Sequence, residues 1–249
     1  MASRRMVLAT DLDGTFLGGT DADRDRLYAW IEAHRDSVGL VFVSGRDPEF
    51  IESICSDGRV PWPEYVVGDV GTTIARMVDR KVTPIPTLEE EIARTWGEMG
   101  AQVRAALDGH PGLTLQPTNF RYRVSYDLDA DAFDDSARQI IADMGADTLI
   151  SDNRYFDVLP RGISKGPSLL RLVAHLGVDQ DKVLTAGDTL NDLSMLVAGT
   201  PAVAVGGAEQ PLLDVLPHAP HIYRAEAIGA AGILEAIAHF DLHPSMEAV

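Results

Sequence analysis

The chain has 249 residues, with 21 Lys and Arg against 38 Asp and Glu, a net charge of −17 and a sequence pI of about 4.6. Hydrophobic residues at 45% and charged residues at 24% are average for folded globular proteins and exclude global disorder. The acidic balance argues against nucleic acid as a partner, because phosphate backbones are bound by clustered Lys and Arg. No apolar run approaches the ~20 residues that span a bilayer, and the N-terminus lacks a signal-peptide pattern, so we expect no membrane partner.

The single cysteine, Cys55, cannot form an internal disulfide, which favours a reducing compartment. We therefore expect a cytoplasmic protein, and we take a monomer as the expected state. The chain is longer than the ~150 residues typical of one simple domain, so a core with an additional unit is expected.

Short apolar runs alternate with helical patterns at both ends of the chain. The predicted strands are 6–10, 39–43, 182–188 and 201–205. One helix is predicted after Thr20, and four others are predicted over 166–176, 191–198, 208–216 and 228–238. This alternation predicts an α/β fold with a doubly wound, Rossmann-like core, a parallel sheet and helices on both faces. Ligands of such sheets bind beyond the carboxyl ends of the strands, where Asp11, Ser44 and Asp188 stand.

The middle of the chain has a different pattern. A long amphipathic helix over 87–107 is followed by alternating strand patterns and a helix over 131–144. This α+β grouping predicts a cap domain at 80–159, inserted into a core domain formed by 1–79 and 160–249.

Two carboxylates leave the first strand in the segment DLDGT, at Asp11 and Asp13. Residues i and i+2 of an extended chain point to the same side, and close carboxylates need a shared cation or protonation of one group. The pair fits a magnesium site or an acid/base pair with divided roles. An ordinary acidic turn is the alternative for this pattern seen alone.

A second acidic segment, GDTLND, follows the strand 182–188. Asp192 shares a face with Asp188 if the turn continues as a helix, and both could complete an oxygen-rich cage with the first pair. The alternative is a side-chain cap on the following helix.

Two further segments could bind phosphate. Ser44 and Gly45, in SGR, combine a hydroxyl with backbone N–H groups at a strand-to-helix junction, which can cradle a phosphate or simply cap the helix. Lys165, in SKG, can neutralise a phosphate oxygen, pair with Asp11 or remain solvated. A protein of this negative charge needs such a local cation, or a metal, to bind a phosphate.

DLDGT, SGR, a lysine before a helix and GDTLND, in this order, resemble the four motifs of the haloacid dehalogenase superfamily, whose commonest members are magnesium-dependent phosphatases. The cap position and the segments YVVGDVGT, RVSYDLD and FDVLP are similar to those of sucrose-phosphate and mannosylfructose-phosphate phosphatases. Several residues within 87–119 have no counterpart that aligns. The resemblance implies a phosphomonoesterase that acts, through an aspartyl-phosphate, on a disaccharide or glycosyl phosphate such as sucrose-6-phosphate.

The resemblance also implies a role for each motif residue. Asp11 would be the nucleophile, and Asp13 would protonate the leaving oxygen and then deprotonate the attacking water. The magnesium site would consist of Asp11, the backbone carbonyl of Asp13, Asp188 and, in support of its water shell, Asp192. The phosphate-binding residues would be Ser44, Gly45, Lys165 and Asn191.

The cap segment RYRVSYDL places Arg121, Arg123, Ser125 and Asp127 on one face of a predicted strand. We expect this polar face to look onto the active site, and the resemblance to sucrose-phosphate phosphatases, which have a lysine at this place, implies that Arg123 contacts the sugar. Asp152 and Asn153, in the turn before RYFDVLP, could add contacts to hydroxyls. A solvated outer face is the alternative.

Two other functions remain open from sequence. A phosphosugar mutase of the same fold would pass the phosphoryl group to another sugar, and a non-catalytic protein would only bind a sugar phosphate. The second needs neither a nucleophile nor an acid, so the presence of Asp11, Asp13, Lys165 and Asp188 counts against it.

Overall fold

The computed structural model describes residues 1–118, 120–151 and 153–246. Within these residues twelve strands form one sheet of eight and one sheet of four. Among the helices described, none is long and apolar enough to cross a bilayer.

The strands are β1 (Met6–Thr10), β2 (Val38–Val43), β3 (Tyr65–Gly68), β4 (Thr73–Val78), β5 (Lys81–Pro84), β6 (Leu113–Leu115), β7 (Val124–Leu128), β8 (Ala146–Ser151), β9 (Tyr155–Pro160), β10 (Val183–Gly187), β11 (Ala202–Gly206) and β12 (Ile222–Ile228). The helices are α1 (Asp21–Ala33), α2 (Pro48–Ser56), α3 (Pro86–Trp96), α4 (Met99–Ala106), α5 (Ser136–Asp143), α6 (Lys165–His175), α7 (Leu193–Leu196), α8 (Gln210–Val215) and α9 (Ala230–His239).

The large sheet has the strand order β12-β11-β10-β1-β2-β3-β4-β5. The strands from β12 to β3 are parallel, and β4 and β5 extend the sheet as antiparallel strands. This arrangement confirms the predicted doubly wound core, although β3, β4, β5 and β12 were not among the predicted strands. The chain order reverses between β1 and β10, where Thr10 pairs with Ala186. A crevice for ligands is expected at this reversal, directly beyond which Asp11 and Asp188 lie.

Both faces of the large sheet are buried, which explains the continuous apolar runs of its strands. Met6 and Leu8 of β1 pack in one hydrophobic cluster, together with residues of α1 and α9. Val7 and Ala9 point to the opposite face and pack with residues of α6, α7 and α8. The sheet is therefore a rigid platform whose strand ends hold polar residues at fixed positions.

The small sheet forms the cap, with the antiparallel order β6-β7-β9-β8. Its apolar face packs against α4 and α5 through a cluster that includes Val103, Tyr126, Ile141 and Phe156. The cap therefore has its own hydrophobic core.

The predicted helix over 87–107 is wrong as a single helix. Gly97 separates α3 from α4 with φ 48° and ψ −126°, a backbone conformation that interrupts helical hydrogen bonding and that glycine adopts most easily. The predicted helix over 131–144 is also too long, since α5 begins at Ser136. The carboxylates of Asp129 and Asp134 accept hydrogen bonds from backbone amides two residues later, which favours turns before α5.

The entry into the cap lies later than predicted. Residues 81–84, which we expected to begin the cap, form β5 and pair with β4 in the large sheet. α3 then leads into the cap, with Ile92 packed in a core cluster and Trp96 in the cap cluster. The other limits of the two domains stay predictions.

Candidate active site

The segment after β1 brings Asp11 to the reversal point of the large sheet. The amide of Asp11 donates a hydrogen bond to the carbonyl of Ala186 at 2.9 Å, which ties the ends of β1 and β10 together. Residues Leu12–Phe16 then form one wide helical turn, in which Gly14 has φ 77°. A Cβ at Gly14 would lie 2.1 Å from Oδ2 of Asp188, so only glycine allows this approach of the two segments.

Three buried carboxylates converge at this point. Oxygen atoms of Asp11, Asp188 and Asp192 lie within 4.8 Å of one another, and we call these residues the acid cluster. Oδ1 of Asp188 accepts a hydrogen bond from Thr15 Oγ1 at 2.6 Å. Oδ2 of Asp192 accepts from the backbone amides of Asp188 and Thr189 at 2.9 and 3.0 Å. The structure thus brings together the two acidic segments that the sequence predicted to meet.

Lys165 is fully buried at the start of α6 and binds the acid cluster directly. Its Nζ donates to Asp11 Oδ1 at 2.7 Å, to Asn191 Oδ1 at 2.6 Å and to Asp192 Oδ1 at 2.6 Å. Burial disfavours the ammonium form, but the charges of Asp11 and Asp192 outweigh it and raise the pKa of Lys165. The lysine is therefore a permanent cation within the cluster and not a solvated surface group.

The single ammonium does not balance the three carboxylates. Burial raises the pKa of Asp11 well above its usual range, despite the opposing charge of Lys165. Burial, with the charge of Asp192, raises the pKa of Asp188 to about 7. Such an excess of buried negative charge, offered by oxygen donors only, fits a hard divalent cation. Both oxygens of Asp192 already accept hydrogen bonds, which suits a supporting position better than direct coordination.

The side chain of Asp13 lies outside the acid cluster in the described part of the chain. Its carboxylate accepts two hydrogen bonds from Arg46, from Nε at 2.8 Å and from Nη2 at 3.0 Å, and both side chains are about half exposed. The guanidinium of Arg46 also stacks on the ring of Phe50, 4.5 Å from its centre. The hydrogen bonds that Arg46 donates to Asp13 raise the pKa of Arg46.

The SGR segment, residues 44–46, forms a tight loop that we call the phosphate loop. The amide of Ser44 donates to the carbonyl of Val67 at 2.9 Å, and Ser44 Oγ accepts from the amide of Arg46 at 3.2 Å. α2 begins only at Pro48, where Asp47 is the cap, so the alternative of Ser44 as a helix cap is wrong. Gly45 lines the cavity described next, whereas Ser44 is buried and is not among the described residues that line it.

A cavity of about 420 Å³ lies between the core and the cap, above the acid cluster. Asp11, Asp13, Gly45 and Asn191 line it from the core. The other described residues in its wall are Arg46, Asp47, Val70, Gln116, Thr118, Phe120, Arg123, Ser151, Arg154, Tyr155, Asp157 and Thr189. Candidate catalytic residues and cap residues thus line one cavity.

The polar residues of RYRVSYDL divide between two environments. Arg123 is 6% exposed, and its Nη2 donates to the Gly45 carbonyl of the phosphate loop at 3.2 Å. Ser125 is also buried and donates to Asp157. Arg121 instead pairs with Glu89 at 2.9 Å, and Asp127 is exposed. Because β7 begins only at Val124, Arg121 and Arg123 do not follow strand alternation, and only Arg123 and Ser125 behave as the predicted inward face.

The turn between β8 and β9 does not bring Asn153 to the cavity. Asn153 is exposed in a left-handed backbone conformation, with φ 51°. Ser151, Arg154 and Tyr155 line the cavity in its place. The predicted contact of Asp152 lies outside the described residues.

Two functional candidates were missed from sequence. Asp157 is buried in β9, 3.5 Å from the guanidinium of Arg123, and Asp69 is buried after β3, 3.6 Å from the same group. Burial raises the pKa of both carboxyls, against the opposing charge of Arg123. The segment FDVLP did contain a signal for Asp157, since an acid between two apolar residues of a buried strand needs a partner.

Comparison with known proteins extends over nearly the whole chain. The family described as Sucrose-6F-phosphate phosphohydrolase matches residues 4–241. A glucosylglycerol-phosphate synthase from Pseudomonas anguilliseptica is 40% identical over 237 residues, which are 94% of this chain but only 31% of that protein. A mannosylfructose-phosphate phosphatase from Agrobacterium fabrum is 29% identical over 247 residues, 96% of this chain and 98% of that protein.

Solved structures show the same architecture. The sucrose-phosphatase from Synechocystis sp. PCC6803, solved in complex with sucrose and phosphate, aligns with a TM-score of 0.86 and 25% identity over 96% of this chain and 98% of that chain. A haloacid dehalogenase-like hydrolase from Bacillus subtilis aligns with a TM-score of 0.69 at 16% identity, over 97% of this chain and 94% of its own. The second comparison supports the fold alone.

Proposed function

The chain belongs to the Sucrose-6F-phosphate phosphohydrolase family, and on that premise we propose that it hydrolyses a glycosyl phosphate to the free glycoside and inorganic phosphate. Family membership confirms the resemblance stated from the four motifs. The observation that carries the proposal is the buried contact of Lys165 with Asp11, the member of the acid cluster that lines the cavity between the core and the cap. A protein that only binds a sugar phosphate would have no use for this arrangement.

The proposed substrate class follows from the names of the relatives and from the cavity. Two relatives are named for mannosylfructose phosphate and sucrose phosphate, and a third for the synthesis of glucosylglycerol phosphate. A cavity of about 420 Å³ lies within the range of ~300–1,000 Å³ usual for small-molecule sites. We propose a phosphorylated glycoside, with the phosphate at the acid cluster and the sugar against the cap.

Asp11 is the proposed nucleophile. One of its carboxylate oxygens forms a bond to phosphorus while the bond from phosphorus to the sugar oxygen breaks, leaving an aspartyl-phosphate that water later hydrolyses. The hydrogen bond from Lys165 to Oδ1 holds the carboxylate in place and favours its ionised form, which is the nucleophilic one.

Asp13 is the proposed acid and base. It lines the same cavity as Asp11, and it would give a proton to the leaving sugar oxygen and take one from the attacking water. Its carboxylate is bound to Arg46 in this structure, so proton transfer requires Asp13 to leave that pair.

Magnesium is the proposed cofactor, since the acid cluster fits a hard divalent cation. Asp11 and Asp188 would hold it with the backbone carbonyl of Asp13, and Asp192 would support its water shell. When bound, magnesium supplies a positive charge that neutralises the phosphate and stabilises the transition state. Ser44, Gly45, Lys165 and Asn191 are the proposed phosphate ligands.

A phosphate-release assay tests this function. We expect magnesium-dependent release of inorganic phosphate from at least one of sucrose-6-phosphate, mannosylfructose phosphate and glucosylglycerol phosphate, without a sugar bisphosphate activator. Dependence on such an activator would indicate the mutase alternative. Hydrolysis of p-nitrophenyl phosphate alone would show a phosphatase with a different substrate class, and no release from any ester would contradict the proposed activity.

We also propose that the protein acts in the cytoplasm as a monomer, without nucleic acid or membrane partners. The net charge of −17 supports the absence of a nucleic-acid partner, and the free, buried thiol of Cys55 supports the reducing compartment.

A further inference from the structure

The loop after β3 has an unusual backbone. Asp69, Val70 and Gly71 follow one another with φ values of 52°, 60° and 101°. A β-branched residue such as Val70 rarely adopts a positive φ, because its Cβ then crowds the backbone. Conformations of this kind persist where the surrounding structure imposes them, and they cluster at functional sites.

The surroundings that impose this backbone are two of the proposed phosphate-binding segments. The amide of Val70 donates to the Ser44 carbonyl at 3.1 Å, and the amide of Asp69 donates to the Arg46 carbonyl at 3.0 Å, so the loop braces the phosphate loop. On its other side, a Cβ at Gly71 would lie 2.4 Å from the carbonyl oxygen of Ser164, directly before Lys165. The loop Asp69–Gly71 therefore fills the space between the phosphate loop and the start of α6.

The side chain of Asp69 is aimed at the cap. Its Oδ2 accepts a hydrogen bond from Thr73 Oγ1 at 2.6 Å, and its Oδ1 lies 3.6 Å from Nη2 of Arg123. Both side chains of this ion pair are at most 10% exposed. Nη2 of Arg123 also donates to the Gly45 carbonyl. One cap guanidinium thus contacts the phosphate loop and the carboxylate of the loop that braces it.

This ion pair has room to tighten. Among the described residues, neither Oδ1 of Asp69 nor Nε of Arg123 has a hydrogen-bond partner, although both atoms are buried. A buried donor and a buried acceptor that lack partners favour any movement that brings them together. The nearest guanidinium nitrogen to Asp69 Oδ1 is Nη2, at 3.6 Å, and a shorter separation would give this carboxylate oxygen a charge-assisted hydrogen bond.

We propose that Asp69 is a positioning residue that couples the cap to the phosphate loop. Through its ion pair it holds Arg123 against Gly45, so that the sugar and the phosphate of one substrate are fixed together. This inference rests on the proposed function. An ester whose alcohol does not contact the cap makes no use of the coupling, so the effect of Asp69 depends on the substrate.

The test is Asp69→Asn, assayed on the preferred glycosyl phosphate and on p-nitrophenyl phosphate. Asparagine tolerates the left-handed backbone and can still accept from Thr73, so the change removes chiefly the charge. We expect kcat/KM for the glycosyl phosphate to fall about tenfold to a hundredfold, because one partner of a buried charge pair is lost. The kcat/KM for p-nitrophenyl phosphate should change less than about threefold. Equal losses on the two esters, or no loss on either, would overturn the proposal.

Glu89→Gln is the matched control. Glu89 is also buried and also pairs with an arginine that precedes β7, Arg121, at 2.9 Å. It does not line the cavity, and it has no contact with the phosphate loop among the described hydrogen bonds and ion pairs. Its partner Arg121 also donates to Thr73 Oγ1 at 3.1 Å, so Glu89→Gln reaches Asp69 only through that hydroxyl and leaves the ion pair of Asp69 with Arg123 in place. We expect it to affect both esters equally. The same selective loss in Glu89→Gln would show that any loosening of the cap suffices, and would overturn a specific role for Asp69.

A double variant isolates the pair itself. If Asp69 acts through Arg123, adding Asp69→Asn to Arg123→Gln should lower kcat/KM for the glycosyl phosphate less than about twofold further. Two losses that simply multiply would overturn the coupling. If Asp69→Asn does not fold, Thr73→Val takes its place, because it removes the hydrogen bond from Thr73 Oγ1 to Asp69 Oδ2. The same selective loss of kcat/KM on the glycosyl phosphate is then expected, and equal losses or no loss would overturn the proposal. A wild-type protein inactive on every glycosyl phosphate would instead contradict the proposed function, which separates the two failures.

Discussion

The two walls of the cavity bind their charges in different ways. On the core side, the lining residue Asp11 is held by the buried Lys165, whose Nζ has three oxygen partners within 2.7 Å. On the cap side, Arg123 lies 3.5 and 3.6 Å from its two carboxylates, and its Nε has no partner among the described residues. The core wall is preorganised for the attack on phosphorus, a step common to all phosphate esters. The cap wall can still adjust to the alcohol that is released from the phosphate.

Replacing the nucleophile should have the largest effect and should fall on every substrate. Asp11→Asn should lower turnover by more than about a thousandfold, because an amide cannot form the aspartyl-phosphate. The fold should remain, since Lys165 keeps its hydrogen bonds to Asn191 and Asp192. Steady-state rates on both kinds of ester, with circular dichroism of the variant, test this. Turnover within tenfold of wild type would contradict the assignment of Asp11.

Removal of the metal should also abolish activity on both kinds of ester. We expect chelation to eliminate phosphate release and added magnesium to restore it. Calcium should inhibit, because its longer and more variable coordination misplaces the nucleophile relative to the phosphate. The measurement is phosphate release during titration with each ion after treatment with EDTA. Full activity in excess chelator would show that the acid cluster works without a metal.

A change in the cap wall should separate the substrates. Arg123→Ala should lower kcat/KM about tenfold to more than a hundredfold on a disaccharide phosphate, corresponding to ~1–3 kcal/mol of lost binding in the transition state. A small generic ester should be nearly unaffected. Arg121→Ala is the matched control, because Arg121 lies two residues away and is not among the described residues that line the cavity between the core and the cap. Equal losses on the two esters would place Arg123 with the core wall, through its contact with Gly45.

The smallest expected effect is the pH dependence of stability in the metal-free protein. Burial and the charge of Asp192 raise the pKa of Asp188 from 3.8 to about 7. Between these values the folded protein binds a proton that the unfolded chain has lost, so the free energy of unfolding should fall as the pH rises through this window. Magnesium favours the ionised carboxylates and should restore the melting temperature at about pH 7.5 but not at about pH 5.

The measurement is the melting temperature with and without magnesium, for wild type and for Asp188→Asn. We expect the chelated wild type to lose a few degrees, relative to the variant, between about pH 5 and pH 7.5. A chelated wild type that gains stability relative to Asp188→Asn over this range would show that the acid cluster is not short of positive charge.

The core site could be predicted closely from the sequence because its parts are local. Asp11, Ser44 and Asp188 each stand where an apolar run stops, and parallel strands place their carboxyl ends along one edge. The order of strands and helices along the chain was therefore enough to bring the acidic segments together. The same locality explains why single elements were wrong where a glycine or turn-forming acids interrupt a helical pattern, as at Gly97 and before α5.

Only the tertiary structure decided which charges are paired. Lys165 binds Asp11, which is 154 residues away in sequence, and Arg123 binds Gly45, which is 78 residues away. The sequence around each cation does not identify its partner. The pairing of β5 with the large sheet and the bracing of the phosphate loop by Asp69 and Val70 are likewise long-range results of packing. Periodicity and turn chemistry act between near neighbours in sequence, whereas a buried charge takes its partner from whatever the packed chain places within a few ångströms.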